Sequence, residues 1–200
     1  MTGGALARVI RRAAEESAAA AEACDLCRAP VADDHRHLYD TGREEVLCAC
    51  RPCTLLFVKD AASGGHYRLV PRRRVRLPEV PADALGVPVG LAFFVRRADG
   101  TVTAHYPSPL GATRWEVGAE AWRDTVAGCP ELGTLETDVE ALLVNTARGA
   151  RHHWIVPVDD CFRMVAVVRR EWKGLSGGDA LWPAVERFFG QLEQPARSAG

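Results

Sequence analysis

Five of the chain's seven cysteines lie close together near its start, at positions Cys24, Cys27, Cys48, Cys50 and Cys53. They contain two Cys-x-x-Cys pairs, Cys24/Cys27 and Cys50/Cys53, separated by the 22 residues 28–49. The two thiols of such a pair converge on one point, and two pairs supply the four sulfur ligands of a tetrahedral zinc site. A spacer of this length can hold a β-hairpin that returns the second pair to the first. The pattern predicts a zinc-ribbon-like lobe with zinc as its cofactor.

The fifth cysteine leaves the choice of ligands open. The preferred set is Cys24, Cys27, Cys50 and Cys53. Cys48 is an alternative to one of the last two, and His35 or His37 is a further alternative because imidazole also binds zinc. Since four thiolates already complete a tetrahedral site, we favour interpreting the two histidines as surface or turn residues.

Iron is the main alternative to zinc, because a rubredoxin-like site also uses two Cys-x-x-Cys turns. Rubredoxin turns usually carry glycine directly after the second cysteine, whereas this chain has Arg28 and Thr54 there. That difference favours zinc. A zinc ion held by four thiolates has no open coordination position, so the predicted site is structural rather than hydrolytic.

The predicted metal lobe spans residues 24–58. His37–Tyr39 and Val46–Leu47 are predicted strands around a turn at Asp40–Arg43, and residues 54–58 are predicted to form a short helix or strand. An alanine-rich helix is predicted before the lobe, within residues 1–23. Residues 59–82, rich in glycine, proline and arginine, are predicted to be a connector whose arginine run is a solvated face.

Residues 83–195 are predicted to form an α+β domain, an antiparallel sheet covered by helices on one side. The sequence predicts strands at 91–97, 102–106, 139–145, 154–158 and 164–170, and helices at 119–126 and 179–192. Ala98-Asp99-Gly100 is typical of a hairpin turn. Asp159-Asp160 is predicted to be a turn.

Charge and hydropathy exclude some function classes. The net charge of −1 argues against a nucleic-acid-binding or membrane-surface protein. No apolar run approaches the roughly 20 residues that span a bilayer, and the start of the chain lacks the basic-then-apolar order of a secretory signal. We therefore expect a cytoplasmic protein.

A catalytic function would have to use one of two weaker groups. Cys48 lies beside the predicted metal and Arg51, which could make its thiol reactive. His152 and His153 precede the predicted strand 154–158, and Asp159, Asp160 and Cys161 follow it. A five-residue strand is about 17 Å long, so these residues are not expected to meet.

Several strings resemble an uncharacterised, mainly actinobacterial family: Cys24–Cys27, His35–Leu38, Leu47–Cys53, Gly90–Phe94, Tyr106–Pro109, Asp138–Asn145 and Trp172–Gly178. The resemblance covers nearly the whole chain after Ala23. Members of that family are encoded near nickel–iron hydrogenase genes, which implies an accessory, maturation or electron-transfer role.

The sequence thus favours a non-catalytic, metal-binding accessory protein that acts through a protein partner. The resemblance implies a hydrogenase subunit or maturation factor as that partner. A rubredoxin-like electron carrier and an enzyme with a reactive cysteine are the alternatives.

Overall fold

A computed structural model describes residues 22–57, 66–81, 85–86, 90–174 and 177–194. Their contacts divide the chain into two units, Met1–Leu69 and Val70–Gly200. The N-terminal helix is predicted within residues 1–23, of which residues 1–21 lie outside the described part of the chain. Ala23, which the prediction placed at its end, forms an isolated β-bridge with Pro30 instead.

The first unit contains a three-stranded antiparallel sheet in the order β2-β1-β3. Its elements are β1 (Arg36–Asp40), β2 (Glu45–Ala49), the short helix α1 (Arg51–Leu55) and β3 (Tyr67–Leu69). The carboxylate of Asp40 accepts hydrogen bonds from the backbone N–H groups of Gly42 at 2.9 Å and Arg43 at 3.0 Å. Aspartate commonly stabilises a tight turn in this way. The predicted hairpin and its turn are confirmed.

The second unit contains a six-stranded antiparallel sheet in the order β4-β9-β8-β5-β6-β7. Its strands are β4 (Val75–Arg76), β5 (Leu91–Arg96), β6 (Val102–Ser108), β7 (Gly111–Glu116), β8 (Glu140–Asn145) and β9 (His152–Pro157). Its helices are α2 (Ala119–Gly128), α3 (Val158–Glu171) and α4 (Leu181–Leu192), with 3-10 turns at Pro130–Thr134 and Ala147–Gly149. The predicted α+β class is confirmed.

Helices pack on both faces of this sheet, so the prediction of helices on one side is wrong. On one face, Phe94 and Leu142 pair in register and share a buried core with Trp122 of α2. On the other face, the ring of His152 stacks on Phe189 of α4 at 4.5 Å. Every residue of β8 is consequently buried, which explains why its residues 141–144 form an unbroken apolar run rather than alternating with polar residues.

The predicted strand at Met164–Arg170 is wrong, because these residues belong to helix α3. The predicted turn at Asp159-Asp160 is the first turn of the same helix. Its buried residues are Val158, Asp160, Cys161, Met164, Val165 and Val168. These positions follow the three-and-four spacing of one helix face, and packing of that face overrides the local strand preference of its valines.

Two arginines of the predicted solvated run form ion pairs with buried carboxylates of the second unit. Arg73 forms a bidentate ion pair with Glu140, in which its Nε and Nη2 donate to the two carboxylate oxygens at 2.6 and 2.7 Å. Arg74 does the same with Asp160, at 2.6 and 3.0 Å. Both carboxylates are almost completely buried. The solvated-face prediction therefore does not hold for Arg73 and Arg74.

Candidate metal centre

The first cysteine pair lies on a tight backbone loop. The N–H group of Cys24 donates to the carbonyl of Ala29 at 2.8 Å, and the carbonyl of Cys24 accepts from the N–H group of Arg28 at 2.8 Å. Arg28 has a φ of 63°, the left-handed conformation that glycine adopts at lower cost. This loop therefore forms without glycine, so the arginine at position 28 does not exclude a rubredoxin-like turn.

The second cysteine pair lies at the start of helix α1. Cys50 is the N-cap residue, and Cys53 is the third residue of the helix. The carbonyl of Cys50 accepts a hydrogen bond from the N–H group of Thr54 at 3.0 Å. This is the first hydrogen bond of the helix. An N-cap residue and the third helical residue face each other across this turn. The helix start thus brings both thiols to the same side.

The four predicted ligands come together. The sulfur atoms of Cys24, Cys27, Cys50 and Cys53 all lie within 4.8 Å of one another. The sulfur atoms of Cys27 and Cys50 are 3.6 Å apart, much farther than the about 2.05 Å of a disulfide. Zinc–sulfur bonds of about 2.3 Å place tetrahedral sulfur ligands about 3.8 Å apart. These four residues, termed the four-cysteine cluster, can hold one tetrahedral metal ion.

The thiols of this cluster differ in acidity. Burial raises the pKa of Cys24, but hydrogen bonds from the backbone N–H groups of Cys50, Cys27 and Leu26 outweigh it and lower the pKa to about 6. The neighbouring Cys50 and Cys27 side chains raise the pKa of Cys53 to about 12. Four thiolates this close repel one another, so full deprotonation requires a compensating cation.

Cys48 lies outside the four-cysteine cluster. It pairs with His37 across β1 and β2, and these two residues and His35 offer ligand atoms that lie within 4.8 Å of one another. We term this second group the His–His–Cys cluster. From the sequence, His35, His37 and Cys48 are alternative ligands of the first site, and Cys48 is also a candidate reactive thiol. The strand register that places Leu38 opposite Leu47 also places His37 opposite Cys48, and this register is the signal that identifies the group.

Cys48 shows no sign of activation in this environment. Burial raises the pKa of its thiol, and the negative charges of Glu22, Asp25 and Cys24 raise it further. A reactive cysteine requires the opposite shift. The reactive-thiol interpretation of Cys48 therefore has no electrostatic support here.

The candidate residues around β9 make structural contacts. His152 lies 3.1 Å from a carboxylate oxygen of Glu186, and Asp160 accepts hydrogen bonds from Arg74 and Arg163. Cys161 is completely buried in α3. In the part of the chain that the structure describes, the only groups of three or more metal-ligand side chains are the two cysteine-containing clusters.

The fold and the site together define an α+β protein with a four-cysteine cluster that can bind a metal ion. A family model described as "Family of unknown function (DUF5947)" matches residues 23–196, and the chain belongs to this family. No curated protein and no solved structure shows significant similarity to the chain. Among the described residues, no helix has the length and apolar character needed to cross a membrane.

Proposed function

We propose that the four-cysteine cluster holds one structural zinc ion in a non-catalytic accessory protein. The observation that carries this proposal is the convergence of four sulfur atoms within 4.8 Å from two separate segments. Four thiolates complete the tetrahedral coordination that zinc prefers and leave no position for a reacting water molecule. The role of the ion is then to hold the loop before β1 against the start of α1.

Elemental analysis and an absorption spectrum of protein purified without added metal test this proposal. We expect the wild-type protein to contain zinc and to show no visible absorption band. We expect Cys50→Ala to contain less zinc than the wild type. Cys129→Ser is a matched control, because Cys129 is a buried thiol outside both clusters. Zinc retained at the wild-type level in Cys50→Ala would contradict the proposal.

A rubredoxin-like iron site is the second candidate function. The observation that favours it is the set of backbone N–H groups directed at the sulfur of Cys24, since hydrogen bonds to sulfur tune the reduction potential of iron–thiolate centres. Native protein that contains iron, with a visible band that bleaches on reduction, would support this function in place of structural zinc.

We further propose that the protein acts by binding a nickel–iron hydrogenase subunit or maturation factor. The identity of this partner is supported by the family resemblance alone. A binding surface is supported by exposed leucines on both cysteine-bearing segments. Leu26 lies between Cys24 and Cys27, and Leu55 and Leu56 follow Cys53 with more than 60% of each exposed. Apolar side chains grouped on a surface are typical of protein interfaces.

Co-expression with a tagged hydrogenase large-subunit precursor tests the partner. We expect the wild-type chain to co-purify with the precursor. We expect the double variant Leu55→Glu/Leu56→Glu not to co-purify with it. Leu110→Glu is the control, because Leu110 is 97% exposed, more than any other large apolar side chain among the described residues, and lies in the other unit. Failure of the wild-type chain to co-purify would contradict this partner.

A further inference from the structure

The His–His–Cys cluster is built by the hairpin of the first unit. His37 on β1 and Cys48 on β2 are directly opposite each other, and directly opposed side chains share one face of a sheet. His35 lies two residues before His37, a spacing that returns to the same face of an extended chain. The rings of the two histidines are 4.7 Å apart. Sheet geometry thus gathers two imidazoles and one thiol.

His35 is oriented as a metal ligand would be. Its Nδ1 lies 2.8 Å from the carbonyl oxygen of Ala32. Because a carbonyl oxygen only accepts, Nδ1 carries a hydrogen, and in the neutral ring Nε2 then keeps its lone pair. The side chain is only 6% exposed, and Nε2 is buried without a hydrogen-bond partner. A buried polar atom left without a partner costs about 1–3 kcal/mol. Coordination of a metal by Nε2 would remove this cost.

A carboxylate also lies close to the ring of His35, on its Nδ1 side. An oxygen of Glu22 lies 3.6 Å from Nδ1 of His35. Metal-binding histidines usually direct their second nitrogen at a carbonyl or carboxylate, which fixes the ring and increases its basicity. His35 has both kinds of group beside Nδ1.

The backbone of Cys48 is fixed in place by Asp25. The N–H group of Cys48 donates to the Asp25 carboxylate at 2.7 Å, and its carbonyl accepts from the N–H group of Asp25 at 2.9 Å. Cys48 is thereby held in position by the loop that carries Cys24 and Cys27, while its own sulfur is not among the four of the first cluster.

We propose that His35, His37 and Cys48 form a second metal site that binds one zinc ion and leaves its fourth coordination position open. Two imidazoles and one thiolate suit zinc, whereas magnesium and calcium select oxygen ligands. Three protein ligands with one open position distinguish this site from a closed structural one. The His35 side chain is nearly buried, but His37 and Cys48 are partly exposed, so water or a donor atom from a partner can occupy the fourth position.

Metal counting on the full-length protein tests the second site. After dialysis against zinc and then buffer, we expect two zinc ions per wild-type chain and one in His37→Ala or Cys48→Ala. His66→Ala, which changes an exposed histidine of the same unit, is the control and keeps both ions. Cys50→Ala reports on the four-cysteine cluster separately. One ion in the wild type that both His37→Ala and Cys48→Ala retain would overturn the second site and leave the four-cysteine proposal intact.

A measurement on the unmutated protein covers the case in which a variant fails to fold. X-ray absorption at the zinc edge of the fully loaded wild type should show imidazole nitrogen as well as sulfur ligands. Free imidazole added to the cobalt-substituted protein should change its visible spectrum, because only an open position can accept it. An all-sulfur zinc spectrum would overturn the second site.

Discussion

The sulfur atoms of Cys27 and Cys50 lie 3.6 Å apart although the residues are 23 positions apart in the chain. This contact forms because Cys50 directly follows β2, while the loop of Cys27 is held against β2 by the hydrogen bonds between Asp25 and Cys48. A metal ion at this contact would therefore join the segment before β1 to the segment after β2. Metal binding and folding of the first unit should be coupled.

Metal removal should unfold the first unit selectively. We expect a strong chelator, or Cys50→Ser, to abolish amide hydrogen-exchange protection in β1, β2 and β3. Metal-binding free energies of about 10–16 kcal/mol are typical of small structural zinc sites. The exchange of β8 serves as the internal reference, because this strand lies in the core of the second unit. Unchanged protection of β1 in metal-free protein would contradict the coupling.

The ion pair between Arg73 and Glu140 should stabilise the second unit strongly. Arg73→Met leaves Glu140, which is completely buried, with the N–H group of Glu136 at 2.9 Å as a remaining partner. Because Arg73 is itself 41% exposed, we expect a loss near the lower end of the about 3–5 kcal/mol typical of broken buried pairs.

Arg76→Met is the matched control for this prediction. Arg76 pairs with Glu193 at 2.8 Å, but both side chains are about half exposed. An exposed ion pair contributes about 0–1 kcal/mol. Urea denaturation of the two variants measures the difference, and equal losses of stability would show that burial of Glu140 is unimportant.

The sequence was sufficient where the chemistry is local. Two Cys-x-x-Cys pairs predict a metal cluster because the geometry of each pair is set by a short loop of neighbouring residues. The turn at Asp40–Arg43 was predictable for the same reason. The His–His–Cys cluster required one further step, the strand register, which places His37 opposite Cys48.

Features that depend on distant packing were not predictable. Arg73 and Glu140 are 67 positions apart, so nothing near Arg73 indicates its partner. The valines of α3 favour a strand locally, but the buried face from Val158 to Val168 has helical spacing. That spacing is visible only when residues 158–168 are taken together, whereas Asp159-Asp160 alone predicts a turn.

Gly90 should be essential to the packing of the second unit. Its φ is 70°, and an added Cβ would lie 2.6 Å from the backbone nitrogen of Ala147. Gly100 also has a positive φ, 88°, but a Cβ there would meet nothing within 4 Å. We expect Gly100→Ala to cost about 1–2 kcal/mol for the left-handed backbone and Gly90→Ala to cost about 1–3 kcal/mol more for overpacking. Thermal unfolding measures both, and equal shifts in Tm would refute the steric argument.

His153 should make the stability of the second unit depend on pH. Burial lowers its pKa below the ordinary value of 6.5, the charge of His152 lowers it further, and Glu79 opposes the shift. Between this lowered pKa and 6.5, the unfolded chain binds more protons than the folded chain, so stability rises with pH. The contribution is complete above pH 6.5 and is lost as the pH falls below it, by at most about 1.4 kcal/mol per pH unit.

Urea denaturation between pH 5 and pH 8, followed by a probe in the second unit, measures this dependence. His153→Gln should flatten the curve below pH 6.5, because the variant has no group to protonate there. His66→Gln should leave the curve unchanged, since His66 is exposed and lies in the first unit. If the wild type and His153→Gln lose stability equally on acidification, burial of His153 does not cause the pH dependence, and other groups of the second unit must account for it.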